Sequence, residues 1–465
     1  GIVFGAIPGL SGGMLVALSL PLTYGWNPIN AIALLVGQYV GSISGGLLSA
    51  TLLNIPGTAA SIMTTMDATP MARAGRPERA LQIGILASFA GGMVSWLALV
   101  MLSEPLARWA LVFGPHEYFA LVMVSLMLIA TLSGDSLIKG LIGALLGMLT
   151  GMMGWDKVTG QPRLTFGIEG MDAGLDLLAV LVGVFAVSQL LLDLVPGQHK
   201  NERFTVAGRR LQVRIPEFLK HWPNLARSSV IGTVVGILPG VGGSIGSIVA
   251  YTTEKSVSAD PEKFGTGCED GIIASEAANN ATVGGALVPL ITMGIPGSIV
   301  DVILIAALTL HNIIPGPLLF QNEPQVVYGF MNTLLLANIA MLFMMLFGIR
   351  YFARLIDVPK TYLVPILLLI CVVGTYAIHN SLFDVWVMLA FGIIALGFRA
   401  FGIPLAPFVI GLVLAPIAEE SVRHAVIGAQ GDYSTFLERP VSAAFLALAL
   451  LVGLSPLIRV LWKWR

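Results

Sequence analysis

Charge is scarce in this chain: 11% of its 465 residues are Asp, Glu, Lys or Arg, against roughly 25% in ordinary soluble domains. With 56% hydrophobic residues and a mean hydropathy of +0.87, there is too little polar surface to solvate a globule of this size. A soluble domain is excluded, and a polytopic membrane protein is left. The formal net charge of -1 gives no basic field for a nucleic-acid partner. Two cysteines, Cys268 and Cys371, build no disulfide framework, and both stand in or beside apolar stretches, where packing is the expected role. No G-x-x-x-x-G-K-[ST] loop occurs, so the chain is not itself an ATPase. An intramembrane enzyme finds no H-E-x-x-H, and His116, His311, His379 and His424 are scattered rather than clustered. What is plentiful is glycine, 53 residues, with 26 prolines beside it, more than straight lipid-facing helices accommodate.

Apolar runs of membrane-spanning length, ~20 residues, fall near 2–24, 31–54, 83–102, 117–133, 138–154, 174–195, 228–251, 272–294, 298–320, 327–349, 361–378, 384–398, 404–418 and 441–462. Several are too broken to be simple spans, so the expectation is an all-α membrane fold of about 11–14 transmembrane or re-entrant segments. No Met precedes Gly1, so the natural start is expected upstream. The longest polar stretch, 196–227, carries Lys200, Arg203, Arg209, Arg210, Arg214, Lys220 and Arg227 against Glu202 and Glu217, which places it in the cytoplasm. It divides the chain into a half at 1–195, a linker, and a half at 228–465. Arg73, Arg76 and Arg79 form a second basic loop, and Arg459, Lys463 and Arg465 end the chain on the same side; the 155–173 loop is slightly acidic and falls outside.

The two halves echo each other. Gly5-Ala6-Ile7-Pro8-Gly9-Leu10-Ser11-Gly12-Gly13 returns, 231 residues later, as Gly236-Ile237-Leu238-Pro239-Gly240-Val241-Gly242-Gly243-Ser244. Each is followed by a Gly-Gly pair (Gly45-Gly46, Gly284-Gly285) and a second Pro-Gly element, Asn54-Ile55-Pro56-Gly57-Thr58 and Gly294-Ile295-Pro296-Gly297-Ser298. Proline removes an amide donor and glycine releases the chain from helical geometry, so these helices break in mid-membrane. The freed backbone groups must face protein or a water-filled cavity. Half-helix N-termini suit a carboxylate and unwound carbonyls suit a small cation, so mirrored breaks point to a transporter's substrate site. Counting every run as a span makes the two copies parallel; a run that is re-entrant in only one half makes them inverted.

The second half adds Glu276, Asn279 and Asn280 at i, i+3 and i+4 of one helix, a polar face expected to look into a cavity. Asparagine offers donors and acceptors without adding charge. Glu254, Lys255, Glu262 and Lys263 read instead as a solvated loop, and Glu419, Glu420 and Arg423 as an interfacial ion pair following a span.

These residues resemble the large membrane subunit of the tripartite tricarboxylate transporter family. The resemblance runs nearly end to end: Phe264-Gly265-Thr266-Gly267 leading into Glu276-Ala277-Ala278-Asn279-Asn280-Ala281, Gly294-Ile295-Pro296-Gly297-Ser298, Asn54-Ile55-Pro56-Gly57-Thr58 with Pro70-Met71-Ala72-Arg73, the Phe166-Gly167 loop, and Gly411-Leu412-Val413-Leu414-Ala415-Pro416-Ile417-Ala418-Glu419-Glu420. At Asp270 the family more often has Glu. The resemblance implies a bacterial inner-membrane permease that works with a small membrane subunit and a periplasmic solute-binding protein. It would import tricarboxylates or related carboxylates such as citrate, driven by a sodium or proton gradient, and it favours inverted halves. No cofactor is expected beyond bound sodium ions. The carboxylate is then expected among Gly9, Ser11, Asn54, Gly57, Thr58, Gly240, Ser244, Asn279, Asn280, Gly297 and Ser298, and the cation near Pro8, Asn54, Pro239, Glu276 and Asn279. A channel is the competing reading.

Overall fold

The computed structural model describes residues 1–132, 136–156, 159–168, 170–194, 212–355 and 360–463, without the side chains of 353–355, 360 and 456–463. Lys157, Glu169, Lys200, Glu202, Arg203, Arg209, Arg210 and Arg465 lie outside these residues, as do the side chains of Arg459 and Lys463. The first half comprises α1 (Ile2–Ala6), α2 (Gly12–Ser19), α3 (Pro28–Leu53), α4 (Ile62–Arg73), α5 (Pro77–Ala110), α6 (Pro115–Leu132), α7 (Leu137–Gly151), α8 (Leu177–Val182) and α9 (Ser188–Asp193), the last two joined by a π-turn at Gly183–Val187. Then come α10 (Ile215–Phe218), α11 (Trp222–Ile237), α12 (Gly242–Val257), α13 (Glu269–Met293), α14 (Ile299–Leu310), α15 (Leu319–Asn322) and α16 (Pro324–Leu355). The chain closes with α17 (Lys360–His379), α18 (Leu382–Ala400), α19 (Leu405–Gly428), α20 (Thr435–Glu438) and α21 (Pro440–Lys463). Among the described residues the only sheet is a two-residue ladder of Gly154–Trp155 with Pro162–Arg163. Seven helices there are long and apolar enough to cross a membrane, and the fold is all-α and polytopic.

Two runs read as spans are hairpins. The 2–24 run turns back at Pro8-Gly9, so that Gly5 and Gly12 both rest on Ser42 and Ser19 returns to Gln38, whose amide it meets at 2.7 Å. The 228–251 run turns back at Pro239-Gly240: Gly246 lies on Gly232, and Arg227 near the start of α11 binds Glu254 near the end of α12 at 2.5 Å. Glu254 therefore ties two hairpin arms together and is buried, contrary to its reading as part of a solvated loop. At both tips the glycine is obligatory, with φ of 93° at Gly9 and 74° at Gly240. The second break differs. After α3 the left-handed Asn54 (φ 54°) lets the chain fold back beside it, so that Thr58 and Ser61 lie on Gly46 before α4 sets off; Gly294 (φ 71°) fills the same place after α13.

The packing fixes the register of the repeat. Gly45 sits on the Ile2 carbonyl and the Gly5 Cα, and Gly285 on the Thr233 carbonyl and the Gly236 Cα. Gly57 meets the Gly5 carbonyl and Gly46, and Gly297 meets the Gly236 carbonyl and Ala286. The hairpins are thus related by 231 residues (Ile2 to Thr233) and the second breaks by 240 (Gly45 to Gly285). Gly45-Gly46 corresponds to Gly285-Ala286, one residue on from the Gly-Gly match read in the sequence.

The halves are inverted. Helices α3 and α13 run antiparallel, because Ser44 bonds Asn280 while Tyr39 bonds Ser298, whose neighbour Gly297 is folded back onto Ala286 of α13. Their partners α5 and α16 do the same, with Gly92 against Asn338 and the Trp96 indole donating to the Met331 carbonyl at 3.0 Å. Both Pro-Gly hairpins return to the face they enter from. Taking the 228–251 run out of the count leaves an odd number of apolar runs from α3 up to α13, where counting every run gave an even one. Arg79 and Glu217 pair directly at 2.6 Å, so the two basic loops share one face, as the positive-inside rule requires.

Candidate functional site

Helix α13 is buried along nearly its whole length, and its three polar residues separate into two roles. The Glu276 carboxylate accepts from the Thr64 hydroxyl at 2.5 Å and the Ser88 hydroxyl at 2.9 Å. The Asn280 carbonyl accepts from Ser44 at 2.6 Å, and its amide donates to the Glu276 carbonyl at 3.2 Å. Both residues are spent on joining α13 to α3, α4 and α5. Asn279 is fully buried, yet neither its amide nitrogen nor its oxygen has a hydrogen-bond partner. A buried amide is normally satisfied, so two orphaned atoms on one side chain mark a place for a ligand.

Three elements meet at Asn279. A side chain placed at Gly243, in the first turn of α12, would come 3.1 Å from the Asn279 oxygen, 3.0 Å from the Thr282 hydroxyl and 3.1 Å from the Ala60 methyl. Ala60 belongs to the Ala59–Ser61 turn that opens α4. Two helix starts therefore converge on an unpaired amide, an arrangement suited to an anion. On the other side of the pseudo-twofold, Tyr39 occupies the place of Asn279 (279 less 240). It is closed off by a 2.9 Å bond to Ser298, and Gly13 faces the side chains of Ile299 and Ile303.

The expected site residues fall into these two places. Gly240, Ser244 and Thr58 lie in the segments around Asn279; Gly9, Ser11 and Ser298 lie in those around Tyr39. Ser11 is exposed and caps α2 through the Met14 N–H at 3.1 Å, and Asn54 is exposed at the end of α3. Pro8 and Pro239 are half-buried at the hairpin tips. Gly57 and Gly297 are held against helix backbone and act in packing.

Several residues escaped the sequence reading because their partners are distant in the chain. Asp67 is fully buried, and its Oδ1 accepts from the N–H groups of Gly265 (2.9 Å), Gly267 (3.0 Å) and Cys268 (2.8 Å) while Oδ2 accepts from the Tyr251 hydroxyl (2.7 Å). The Phe264-Gly265-Thr266-Gly267 stretch is the cradle for that carboxylate. Asp67→Ala strands three N–H groups, and a loss of ~3 kcal/mol is expected, to be read as a lowered unfolding midpoint with Asp67→Asn intermediate. Glu419 and Arg423 lie inside α19, where they join Arg163 and Asp156 in one ion-pair network (Arg163–Glu419 2.6 Å, Arg423–Asp156 2.7 Å, Arg423–Glu419 2.7 Å) beside a cavity of about 530 Å³. The Glu419–Arg423 pairing read in the sequence is present there, within the helix rather than after a span.

On the basic face the His221 imidazole meets Asp270 at 2.7 Å, and this hydrogen bond raises its pKa above the usual value against the opposing effect of burial. A raised pKa stabilises the fold fully below the unfolded value of about 6.5, and the gain is lost as pH rises through the folded value. The unfolding midpoint of wild type should thus exceed that of His221→Ala at pH 6 and approach it above pH 8, a difference under ~1 kcal/mol because the pair is partly solvated.

Residues 1–410 match the family described as tripartite tricarboxylate transporter TctA. An uncharacterised 52.8 kDa protein in the TAR-I ttuC' 3' region of Agrobacterium vitis is 33% identical over 464 residues, 99% of this chain and 92% of that protein. An uncharacterised protein in the TAR-II ttuC' 3' region of the same organism is 32% identical over 231 residues, 49% of this chain and 96% of that protein. The chain belongs to the tripartite tricarboxylate transporter family and is one of its multi-pass membrane transport components.

Proposed function

We propose that this chain is the permease of a binding-protein-dependent secondary transporter that brings tricarboxylates or related carboxylates into a bacterial cell across the inner membrane. Its partners would be a small membrane subunit and a periplasmic solute-binding protein. The observation that carries the reading is Asn279, an unpaired buried amide between two converging half-helix starts, the donor-rich surrounding a carboxylate requires. Gly243, Ser244, Thr58 and Thr282 complete this side of the site.

Import of a trivalent anion against about 100 mV costs roughly 7 kcal/mol, at ~2.3 kcal/mol per charge, so uptake must be coupled to entering cations or use a partly protonated cargo. The repeat suggests how. The hairpins and broken helices with α5 and α16 form one bundle, and α6–α9 with α17–α19 and α21 form the scaffold against which it moves in alternating access. The halves at 1–195 and 228–465 would then be the two copies of one inverted unit, with 196–227 a cytoplasmic connection. Deleting the gene should abolish uptake of labelled citrate, or of another acid in a panel of di- and tricarboxylates, and the wild-type gene should restore it. Uptake of every acid unchanged by the deletion would refute the proposal.

A further inference from the structure

Each second break is followed, three residues after its cap, by a residue whose side chain turns back on that cap: Ser61 after Thr58, and Asp301 after Ser298 (301 less 240 is 61). Ser61 does the work without charge. Its hydroxyl accepts from the Thr58 N–H at 3.3 Å and donates to the Thr58 carbonyl at 2.9 Å. Asp301 stands at the same place as a carboxylate that is fully buried. Its nearest donors are the Ser298 hydroxyl and the N–H groups of Ser298 and Gly297, and neither carboxylate oxygen closes a well-formed hydrogen bond with them. The other carboxylates inside this bundle are satisfied, Asp67 by three N–H groups and Tyr251, and Glu276 by two hydroxyls. A neutral residue suffices for the cap, so the charge at Asp301 has another use, and a bare carboxylate at this depth is costly until something neutralises it.

The protein itself does not neutralise it. Helix α14 packs against α2, α3, α8, α13 and α19. Neither α2 nor α8 has an ionisable residue. On α3, Tyr39 faces Asp301 by way of its 2.9 Å bond to Ser298. On α13, Glu276 is turned to Thr64 and Ser88, with Glu269 and Asp270 at the far end held by Arg79 and His221; on α19, Glu419, Glu420, Arg423 and His424 line the cavity shared with Asp156 and Arg163. Among the described residues no Lys, Arg or His pairs with Asp301. Besides the Ser298 and Gly297 N–H groups, the oxygen donors at hand are its own two carboxylate atoms, the Ser298 hydroxyl that accepts from the Asp301 N–H at 3.4 Å, and beyond it the Tyr39 phenol bonded to that hydroxyl. Hard oxygen donors with one negative charge suit a sodium ion or a proton.

We propose that Asp301, with Ser298 and Tyr39, is the site that takes up the coupling cation, on the opposite side of the pseudo-twofold from the anion site at Asn279. This rests on the transport reading above and assigns the coupling step to one side of the repeat. The first test is independent of transport. In lipid nanodiscs, the unfolding midpoint of the purified wild-type chain should rise by several degrees with sodium replacing choline, or with falling pH in the absence of sodium, and that rise should be missing in Asp301→Asn and Asp301→Ser. Whichever titration shows the difference identifies the cation. A wild type flat to both, or variants that keep the full rise, would overturn the proposal. Should both variants fail to fold, Asp301→Glu is expected to move the half-effective cation concentration at least tenfold, and no movement would count equally against it.

In proteoliposomes with the complete transporter, Asp301→Asn should lose at least tenfold in gradient-driven accumulation; wild-type accumulation would overturn the proposal. A wild type that binds the cation yet accumulates no carboxylate would sink the transport reading and leave the cation site standing.

Discussion

Carboxylate uptake by an Asn279→Ala variant is expected to fall at least tenfold, with protein yield and unfolding midpoint close to wild type. The combination follows from the state of the side chain. The Asn279 side chain makes no hydrogen bond in the fold, so truncation removes two unsatisfied buried atoms and strands no partner, which is neutral or mildly stabilising. Its neighbour one residue on should behave in the opposite way. Asn280 holds Ser44 of α3 and the carbonyl of Glu276, so Asn280→Ala should cost about 1–2 kcal/mol of stability, and lost uptake there would track lost protein. Parallel measurement of uptake per folded molecule separates the two. If Asn279→Ala transports like wild type, the carboxylate lies elsewhere.

The second large effect is expected at Gly57 and Gly297. Neither needs a left-handed backbone; both are glycines because helix backbone presses on them. A methyl at Gly57 would be driven onto the Gly5 carbonyl, the Ser49 hydroxyl and Gly46, and one at Gly297 would stand 2.7 Å from the Gly236 carbonyl and 2.8 Å from Ala286. Backbone cannot swing away as a side chain can, so each alanine substitution should cost at least the ~1–3 kcal/mol typical of overpacking, and valine should abolish a monodisperse product in size-exclusion chromatography. Gly37 in α3 has open space around it. There, alanine should be neutral or gain up to about 1 kcal/mol in helix propensity. Equal unfolding midpoints for Gly57→Ala and Gly37→Ala would show that the close approach is not what holds the hairpin on α3.

The membrane class, the mirrored breaks and the shared face of the two basic loops around Arg79 and Glu217 were legible in the sequence, because composition, Pro-Gly pairs and clustered arginines are local signals. Inversion was not. It depends on whether a broken run crosses or returns, which Pro8-Gly9 and Pro239-Gly240 do not state and the Arg227–Glu254 clasp does. The polar face of α13 was visible as Glu276, Asn279 and Asn280 at helical spacing, yet their division into two interhelical ties and one free amide turns on Thr64, Ser88 and Ser44, far away in the chain. Asp301 sits in an apolar run three residues after a serine, where it reads as an ordinary helix cap. Only the comparison with Ser61, which the 240-residue register makes possible, shows that its charge exceeds what the cap needs.

The most direct test of carboxylate transport by this chain is accumulation of labelled carboxylate in proteoliposomes holding it and the small membrane subunit, with the solute-binding protein outside and sodium and pH gradients imposed separately. Uptake above the equilibrium level under one of these gradients, collapsing when that gradient is dissipated, is the predicted result. Carboxylate that only equilibrates, at the same rate with and without either gradient, would contradict it and identify a channel.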